Sequence, residues 1–317
     1  MTLTKPAVSV VIRAYNEERH IGKLMQGIAA QSRKDVEVIL VDSGSTDQTA
    51  AIAAGLGATV VHIRPQDFSF GYSLNRGLAA CRGSLVVIAS AHVYPVYPDW
   101  LDTLLEPFAD AQVACTYGKQ RGTETSQYSE IRLFHQWFPD GQPSAQEHPF
   151  CNNANAAIRR ELWEKNAYDE TLPGLEDLDW SHRLMQQGYT VRYVPDAEVI
   201  HVHQETPAGI FRRYQREGMA FKRIFPMEHF QLRDMLRLSF SNIRSDCKAA
   251  AREKVLRRHW RDIIWFRVMQ FWGTYQGYRS SGPLTWQLKQ RFYYPSTHLP
   301  AVDTNTTRKV EPIAYNK

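Results

Sequence analysis

Residues 8–47, VSVVIRAYNEERHIGKLMQGIAAQSRKDVEVILVDSGSTD, decide the fold class of this 317-residue chain. Val8–Ile12 and Val36–Val41 are apolar runs rich in β-branched residues, which is typical of strands buried on both faces. The segment between them carries apolar residues at helical spacing: Ile21, Leu24, Met25 and Ile28. The stretch therefore predicts an α/β fold in which two parallel strands are joined by a right-handed helical crossover.

Polar loops follow both predicted strands, at residues 14–18 and 42–47. Ligands of an open parallel sheet bind beyond the carboxyl ends of its strands, so both loops lie where a ligand is expected. Neither loop contains the glycine-rich cradle of a dinucleotide site or a P-loop. The placement predicts a nucleoside site in which Asp42 accepts a hydrogen bond from a base or ribose, unless Asp42 only caps the next helix. The other predicted members of this site are Ala14, Tyr15, Glu17, Ser43 and, nearby, Asn75.

The two loops carry paired motifs, Val-Ile-Arg-Ala-Tyr-Asn-Glu-Glu at residues 11–18 and Val-Asp-Ser-Gly-Ser-Thr-Asp at residues 41–47. Together they resemble the start of a family 2 glycosyltransferase of GT-A fold, and the resemblance extends from Val8 to about Gly218. It implies a Rossmann-like, mostly parallel sheet flanked by helices. It also implies an inverting enzyme that moves a sugar from a nucleoside-diphosphate sugar to a hydroxyl of a glycan or lipid-linked acceptor, as in bacterial surface polysaccharide synthesis.

The chain departs from this family at the end of the fourth predicted strand, Leu85–Ala89. The family places Asp-x-Asp there to hold a divalent metal, whereas this chain has Ser90-Ala91-His92. Mg²⁺ and Mn²⁺ prefer carboxylate oxygens to an imidazole and a hydroxyl. Two hypotheses follow: His92 and His201 bind a metal with help from elsewhere, or cationic side chains and backbone N–H groups neutralise the diphosphate without one. A third is that the chain is a non-catalytic sugar-binding or scaffolding subunit.

Further motifs that resemble the family's occur in the expected order. Residues 150–160 form a small-residue turn, and the resemblance implies that Asn153 and Asn155 line the donor-sugar pocket together with Ser90. Glu176 and Asp177 open a helix, and by position in the family the catalytic base is Asp177, with Glu176 orienting it or contacting the acceptor. The diphosphate is expected near His92, His201, Arg212 and Arg216. Residues 118–148 lack clean periodicity and are predicted to be a long acceptor-side or lid loop.

Length and composition fit an ordinary globular protein, with 43% hydrophobic and 22% charged residues. No run approaches the roughly 18 apolar residues of a membrane span, and no charged-then-apolar leader precedes Val8. The four cysteines show no paired or metal-type spacing, which suits a reducing compartment. We therefore expect a cytoplasmic protein, with attachment to the inner face of the cell membrane left open.

Charge is unevenly spread, because residues 206–294 hold 18 Lys and Arg against 6 Asp and Glu. We predict a catalytic domain over residues 1–228, a basic helical region over 229–300, and a disordered tail over 301–317. Nucleic-acid binding is disfavoured, since no recognised module appears and the rest of the chain is acidic. An aromatic stripe in the basic region predicts contact with an anionic membrane surface, with the catalytic domain, or with a second copy of the chain. Its residues are Trp260, Ile264, Val268, Phe271, Tyr275 and Tyr278.

Overall fold

A computed structural model describes residues 6–141, 144–202, 205–280 and 310–315. Its strands are β1 (Val8–Ala14), β2 (Val36–Asp42), β3 (Thr59–His62), β4 (Leu85–Ser90), β5 (Val93–Pro95), β6 (Val113–Arg121), β7 (Ser144–Ala145), β8 (Asn155–Arg159) and β9 (Thr190–His201). Its α-helices are α1 (Glu18–Ala29), α2 (Thr49–Gly55), α3 (Phe70–Ala80), α4 (Trp100–Leu105), α5 (Tyr128–Trp137), α6 (Arg160–Lys165), α7 (Glu176–Gln186), α8 (Pro207–Ile224), α9 (Leu232–Arg252) and α10 (Leu256–Arg279).

The strands form one mixed sheet in the order β3-β2-β1-β4-β8-β6-β9-β5, with β7 paired to β9. β1 pairs in parallel with β2 and β4, and Ala14 lies opposite Asp42. The carboxyl ends of β1 and β2 therefore meet at one edge of the sheet. This arrangement confirms the predicted α/β fold and its first crossover.

Helices cover both faces of the sheet, which explains why the central strands are apolar without alternation. On one face, Val10 and Ile12 pack with Leu24 of α1 and Trp100 of α4. On the other face, Val11 belongs to a cluster that contains Leu74 of α3 and Trp180 of α7. The two layers hold α1, α3 and α7 close to the strand ends from which the polar loops emerge.

The prediction of a long loop over residues 118–148 is wrong for much of that range. β6 continues to Arg121, and α5 occupies residues 128–137. α5 buries Tyr128, Leu133 and Phe134, so tertiary packing stabilises a helix whose apolar periodicity is short. Residues 155–159, expected as a turn, form β8, an antiparallel strand between β4 and β6.

The C-terminal helices pack against one another as well as against the sheet domain. α8 and α10 cross at close range, and glycines of α10 permit the approach. A Cβ atom added at Gly273 would lie 2.5 Å from the carbonyl oxygen of Phe211, and a Cβ atom added at Gly277 would lie 2.3 Å from the carbonyl oxygen of Gln215. Arg267 of α10 donates to Asp246 of α9 at 2.7 Å, both buried. Within the described ranges, no helix combines the length and hydropathy needed to cross a bilayer.

The end of the chain returns to the sheet domain. The Ile313 N–H donates to the Val96 carbonyl oxygen at 3.0 Å, and the Tyr315 hydroxyl donates to the Pro95 carbonyl oxygen at 2.6 Å. The predicted disorder of residues 301–317 therefore does not apply to 310–315. Residues 301–309 and 316–317 lie outside the described residues.

Candidate active site

A polar cavity of about 450 Å³ lies at the carboxyl ends of β1 and β4, next to the start of α7. Its charged lining comes from four separate segments, which brings together residues that are far apart in sequence. The predicted residues Glu17, Ser90, His92, Asn153, Glu176, Asp177, His201 and Arg216 all line it. The structure thus assembles most of the predicted catalytic and diphosphate residues around one space.

Asp177 and Glu176 are held by the turn before β8 and by β1. The Asn153 N–H donates to Asp177 Oδ2 at 3.1 Å, and its side-chain amide donates to Glu176 Oε1 at 3.3 Å. Arg13 forms an ion pair with the buried Glu176 at 3.1 Å. Burial, and then the neighbouring charge of Glu176, raise the pKa of Asp177 to about 7. A carboxylate with such a pKa can accept a proton near neutral pH.

The backbone immediately before this pair is strained. Leu175, the N-cap of α7, has a φ of 55° in the left-handed region. That conformation costs a non-glycine residue about 1–2 kcal/mol. Strain of this kind is often retained where it positions functional groups, and here it sets the entry of α7 so that residues 176 and 177 face the cavity.

His92 lies where the resembled family has one of its two carboxylates. Its Nδ1 lies 2.8 Å from Glu17 Oε1, and its ring stacks on that of His201 with centroids 5.1 Å apart. Burial is the largest influence and lowers the pKa of His92, but the charge and hydrogen bond of Glu17 and the charge of Glu205 together outweigh it, so the pKa of His92 is raised. His201 Nδ1 lies 2.6 Å from Gln120 Oε1, which fixes its ring.

Two arginines approach the same aromatic ring in the cavity. The guanidinium carbons of Arg13 and Arg216 lie 4.6 and 4.8 Å from the centre of the Phe70 ring. Cation–π attraction to Phe70 offsets part of the repulsion between them. Two guanidinium groups that line one cavity suit an anion with several oxygens, such as a diphosphate.

Of the two arginines predicted to contact the diphosphate, Arg216 lines the cavity and Arg212 does not. Arg213, Arg216 and Glu217 recur at three- and four-residue spacing on one face of α8 and line the cavity, whereas Arg212 lies on another face. Arg213 is itself ion-paired with Glu130 at 3.0 Å and Glu205 at 2.9 Å. Arg216 is therefore the better candidate for phosphate contact.

The predicted nucleoside site lies beside the cavity, where β1 and β2 end. The Ser43 hydroxyl donates to the Ala14 carbonyl oxygen at 3.0 Å, which ties the two loops together. Asp42 is buried, accepts from the Ser45 N–H at 3.2 Å and lies 3.1 Å from His62 Nδ1. Tyr15 is half-buried in the first loop. Asp42, Ala14, Ser43 and Tyr15 thus lie close together, as predicted.

Two predicted site asparagines have structural roles instead. Asn75 donates to the Tyr168 carbonyl oxygen and to Glu170, and it accepts from the Trp163 indole. Asn155 is buried, accepts from the Trp100 indole, and donates to backbone carbonyl groups on β6 and β9. Because these bonds use both the oxygen and the nitrogen of each amide, we assign neither residue to ligand binding.

Sequence reasoning missed Arg13, Phe70 and His20, all of which line the cavity. Arg13 ends a buried strand, and a charged residue at that position is a usable signal that it faces a site. His20 carried no such signal, because its role depends on contacts with the Tyr94 hydroxyl. Phe70 was equally unremarkable in isolation, since aromatic residues are common on helices.

Comparison with known proteins fits this geometry. Residues 9–166 match the model of glycosyl transferase family 2. The chain carries a glycosyltransferase family 2 domain. The glycosyltransferase is 26% identical over 234 residues to the O-antigen chain rhamnosyltransferase WbaN of Salmonella anatum, covering 68% of this chain and 72% of that protein.

Solved structures show the same fold, that of GT-A glycosyltransferases. The mannosyltransferase PcManGT from Pyrobaculum calidifontis, solved with GDP-Man and Mn²⁺, has a TM-score of 0.61 at 19% identity, with 86% of each chain covered. Glucosyl-3-phosphoglycerate synthase from Mycobacterium tuberculosis, solved with Mg²⁺ and UDP, has a TM-score of 0.52 at 23% identity, covering 68% of this chain and 79% of that one. Mg²⁺ or Mn²⁺ is therefore a candidate cofactor of the fold.

The residues at the end of β4, where the family places Asp-x-Asp, fit a divalent cation poorly. Over the ranges that the structure describes, no group of three or more His, Cys, Asp or Glu side chains is placed to hold a metal ion. The end of β4 offers the Ser90 hydroxyl and the His92 imidazole, and the latter already contacts Glu17. A protonated imidazole repels a cation, and hard cations favour oxygen ligands. His203, which follows His201 by two residues in the sequence, lies outside the described residues.

Proposed function

We propose that the protein is an inverting glycosyltransferase in which Asp177 activates a hydroxyl of a glycan or lipid-linked acceptor. The observation that carries this proposal is the polar cavity, where a carboxylate with a pKa of about 7 lies among Arg13, Arg216 and His92. Such a cavity holds a base and an anion-binding group together. Both are needed to move a sugar from a nucleoside diphosphate.

In the transfer step, the acceptor oxygen forms a bond to the anomeric carbon as the bond from that carbon to the diphosphate oxygen breaks. Asp177 takes the proton from the attacking hydroxyl, and the diphosphate leaves with the electron pair of the broken bond. Glu176 and Asn153 position Asp177 through the contacts described above. Arg13 holds Glu176 in place through their ion pair at 3.1 Å.

We further propose that Arg13, Arg216 and His92 stabilise the leaving diphosphate and that the protein binds a divalent metal weakly. Guanidinium groups bind phosphate oxygens with charge-assisted hydrogen bonds, and an imidazolium adds a further donor. Glu17 supports this role because it favours the protonated form of His92. The nucleoside then lies over Ala14, Tyr15, Asp42 and Ser43.

The names of the relatives support a choice of donor sugar and pathway to test first. The glycosyltransferase resembles an O-antigen chain rhamnosyltransferase over 68% of its length. We propose a role in bacterial surface polysaccharide synthesis, with a nucleoside-diphosphate rhamnose as the first donor to test. Donors that carry mannose, galactose, glucose and N-acetylhexosamines complete the panel.

Two measurements test the proposal. Thermal-shift screening of the panel, with and without Mn²⁺, identifies the donor because a ligand that binds the folded state raises Tm. Release of nucleoside diphosphate in Asp177→Asn is then compared with wild type, and we expect a decrease of about 10²–10⁴-fold. Asp179→Asn is the matched control, since Asp179 lies on the same helix but pairs with Arg183 at 2.9 Å. Equal turnover in Asp177→Asn and Asp179→Asn would refute the assignment.

The main alternative is a sugar-binding subunit without activity. It predicts that donors raise Tm while nucleoside diphosphate is never released, even by hydrolysis. The buried carboxylate pair favours the enzyme, because a binding protein gains nothing from a carboxylate whose ionisation is suppressed near neutral pH.

We also propose that α10 rests on an anionic membrane surface. Trp260, Ile264, Val268 and Trp272 are exposed at four-residue spacing, with arginines nearby on the same helix. The stripe differs from the predicted one, because Phe271, Tyr275 and Tyr278 are half-buried. Tyr278 instead packs near Phe221 and Phe230.

A further inference from the structure

A second cavity, of about 570 Å³, also reaches the catalytic carboxylate. Asn152, Leu175, Asp177 and Glu217 line both this cavity and the polar cavity. We call it the apolar cavity. The two cavities therefore adjoin at Asp177, the residue proposed to take the acceptor proton.

The walls of the apolar cavity are aromatic. One wall comes from the segment after β6 and carries Trp137 and Phe150, whose ring centroids lie 6.2 Å apart. The other comes from α8 and α10, where Phe221 lies 4.8 Å from Phe225 and 6.4 Å from Tyr278. Rings at these separations form continuous apolar surfaces.

The chemistry of inversion assigns this cavity to the acceptor. The charged polar cavity suits the donor diphosphate, and the acceptor hydroxyl must attack the anomeric carbon from the side opposite to that diphosphate. Its proton must also reach Asp177. Of the cavities lined by described residues, the apolar cavity shares Asp177 with the donor site and so offers the acceptor a route to the base.

The aromatic lining also limits which chemical group of the acceptor can enter the apolar cavity. A saccharide that entered this cavity deeply would bury hydroxyl groups against aromatic rings, and buried hydroxyls that lose their hydrogen bonds are unfavourable. A hydrocarbon group gains from the same surface in proportion to the area it removes from water. Apolar cavities of about 150 Å³ hold benzene, so about 570 Å³ leaves room for a chain of several carbons.

We propose that the apolar cavity binds a hydrocarbon group of the acceptor, attached beside the sugar whose hydroxyl reaches Asp177. This inference rests on the proposed function and adds the chemical class of the acceptor. The cavity selects amphiphilic acceptors, in which one polar hydroxyl meets the base and an adjacent alkyl chain lies along Phe221, Phe225 and Tyr278.

Matched glycosides test the inference in the active enzyme. With the donor from the screen, nucleoside diphosphate release is measured for methyl and octyl glycosides of the same sugars, below the micelle concentration of the octyl compounds. We expect a KM at least about tenfold lower for the octyl glycoside, because each buried methylene adds to binding. Phe225→Ala should reduce the octyl-over-methyl ratio. Phe240→Ala, in which the lost ring is 72% exposed on α9, should keep it.

A binding experiment separates this inference from the proposed function. Calorimetry with octyl glucoside as the probe should show saturable binding in wild type and Phe240→Ala and none in Phe225→Ala, with circular dichroism confirming that both variants fold. A ratio near one in the kinetic assay, or equal binding by both variants, would overturn the inference. The inference would also be overturned if the protein bound octyl glucoside only after residues 281–309 were replaced by a flexible linker. That result would mean that the chain itself occupies the cavity. Loss of all turnover with selective octyl binding would refute the proposed function alone.

Discussion

Neutralising Glu176 should shift the pH at which the glycosyltransferase gains activity. Burial and the Glu176 carboxylate together raise the pKa of Asp177 to about 7, whereas hydrogen bonds from the Asn153 and Leu178 N–H groups and the charge of Arg13 oppose the rise. Activity should therefore increase as pH rises through about 7 and Asp177 loses its proton. Glu176→Gln removes one of the two causes of the shift.

The expected magnitude follows from Coulomb's law. Two like charges about 6 Å apart at an effective dielectric constant of about 20 repel by about 3 kcal/mol, or about two pKa units. The same substitution leaves the Arg13 cation beside Asp177 without its ion-pair partner, which lowers the pKa of Asp177 further. We expect the acidic limb of kcat/KM to move down by about two pH units or slightly more in Glu176→Gln.

Arg13→Met provides a test of sign. It removes a cation that lowers the pKa of Asp177, so the same limb should move to higher pH. Asp179→Asn, on the same helix turn, should leave the limb in place. Profiles of kcat/KM from pH 5 to 9 measure all three variants. The reasoning is refuted if Glu176→Gln and Arg13→Met shift the limb in the same direction or leave it unmoved.

Four further outcomes are expected. Asp177→Asn should raise Tm by a few degrees at pH 8 but hardly at pH 4. The pKa of Asp177 is about 7 in the folded state and 3.8 in the unfolded chain, so ionisation of this carboxyl destabilises the folded state at pH 8 but not at pH 4. Calorimetric melting at both pH values checks this. Asp42→Ala should weaken binding of a nucleoside diphosphate by about 1–3 kcal/mol in titration calorimetry, and unchanged affinity would remove Asp42 from the site. Turnover should persist in excess EDTA but fall strongly in His92→Ala. Donor affinity should also decrease as pH rises through the upward-shifted pKa of His92. Complete loss of turnover in EDTA with recovery on Mn²⁺ would instead make His92 a ligand of the metal. The protein should float with anionic vesicles at low salt and less at high salt, whereas Trp260→Ser with Trp272→Ser should stay in solution; wild-type protein that never floats would contradict membrane docking.

Local sequence was sufficient for the parts of the fold in which each strand is buried on both faces. β1 and β2 are continuous apolar runs, so their identity and their parallel pairing could be predicted without knowledge of the rest of the chain. α5 and β8 could not, because they form where tertiary contacts decide between weak local preferences. Short, mixed segments of this kind carry little periodicity.

The candidate site divides in the same way. Asp177 and Glu176 could be placed at the cavity from their order in the chain, since the pair opens a helix at the position that the family resemblance implies. Asn75 and Asn155 could not be separated from Asn153 by sequence, because an asparagine that stabilises a loop and one that contacts ligand look identical until their partners are known. Arg212 does not line the polar cavity although Arg213 does, because neighbouring residues on a helix are rotated by about 100°.

Charge explains how the site can tolerate the absence of Asp-x-Asp. Two aspartates and a bound divalent cation together contribute no net charge, and their role is to place the cation against the diphosphate. The ion pair of Glu17 and His92 also has no net charge when His92 is protonated, with its two members 2.8 Å apart. The positive member lies at the end of β4, where the cation would be held, and Arg13 and Arg216 line the same cavity. Replacing carboxylates and metal by a fixed ion pair therefore preserves the sign of the potential at the diphosphate. It also ties that potential to pH, because deprotonation of His92 would leave Glu17 as an uncompensated anion beside the leaving group.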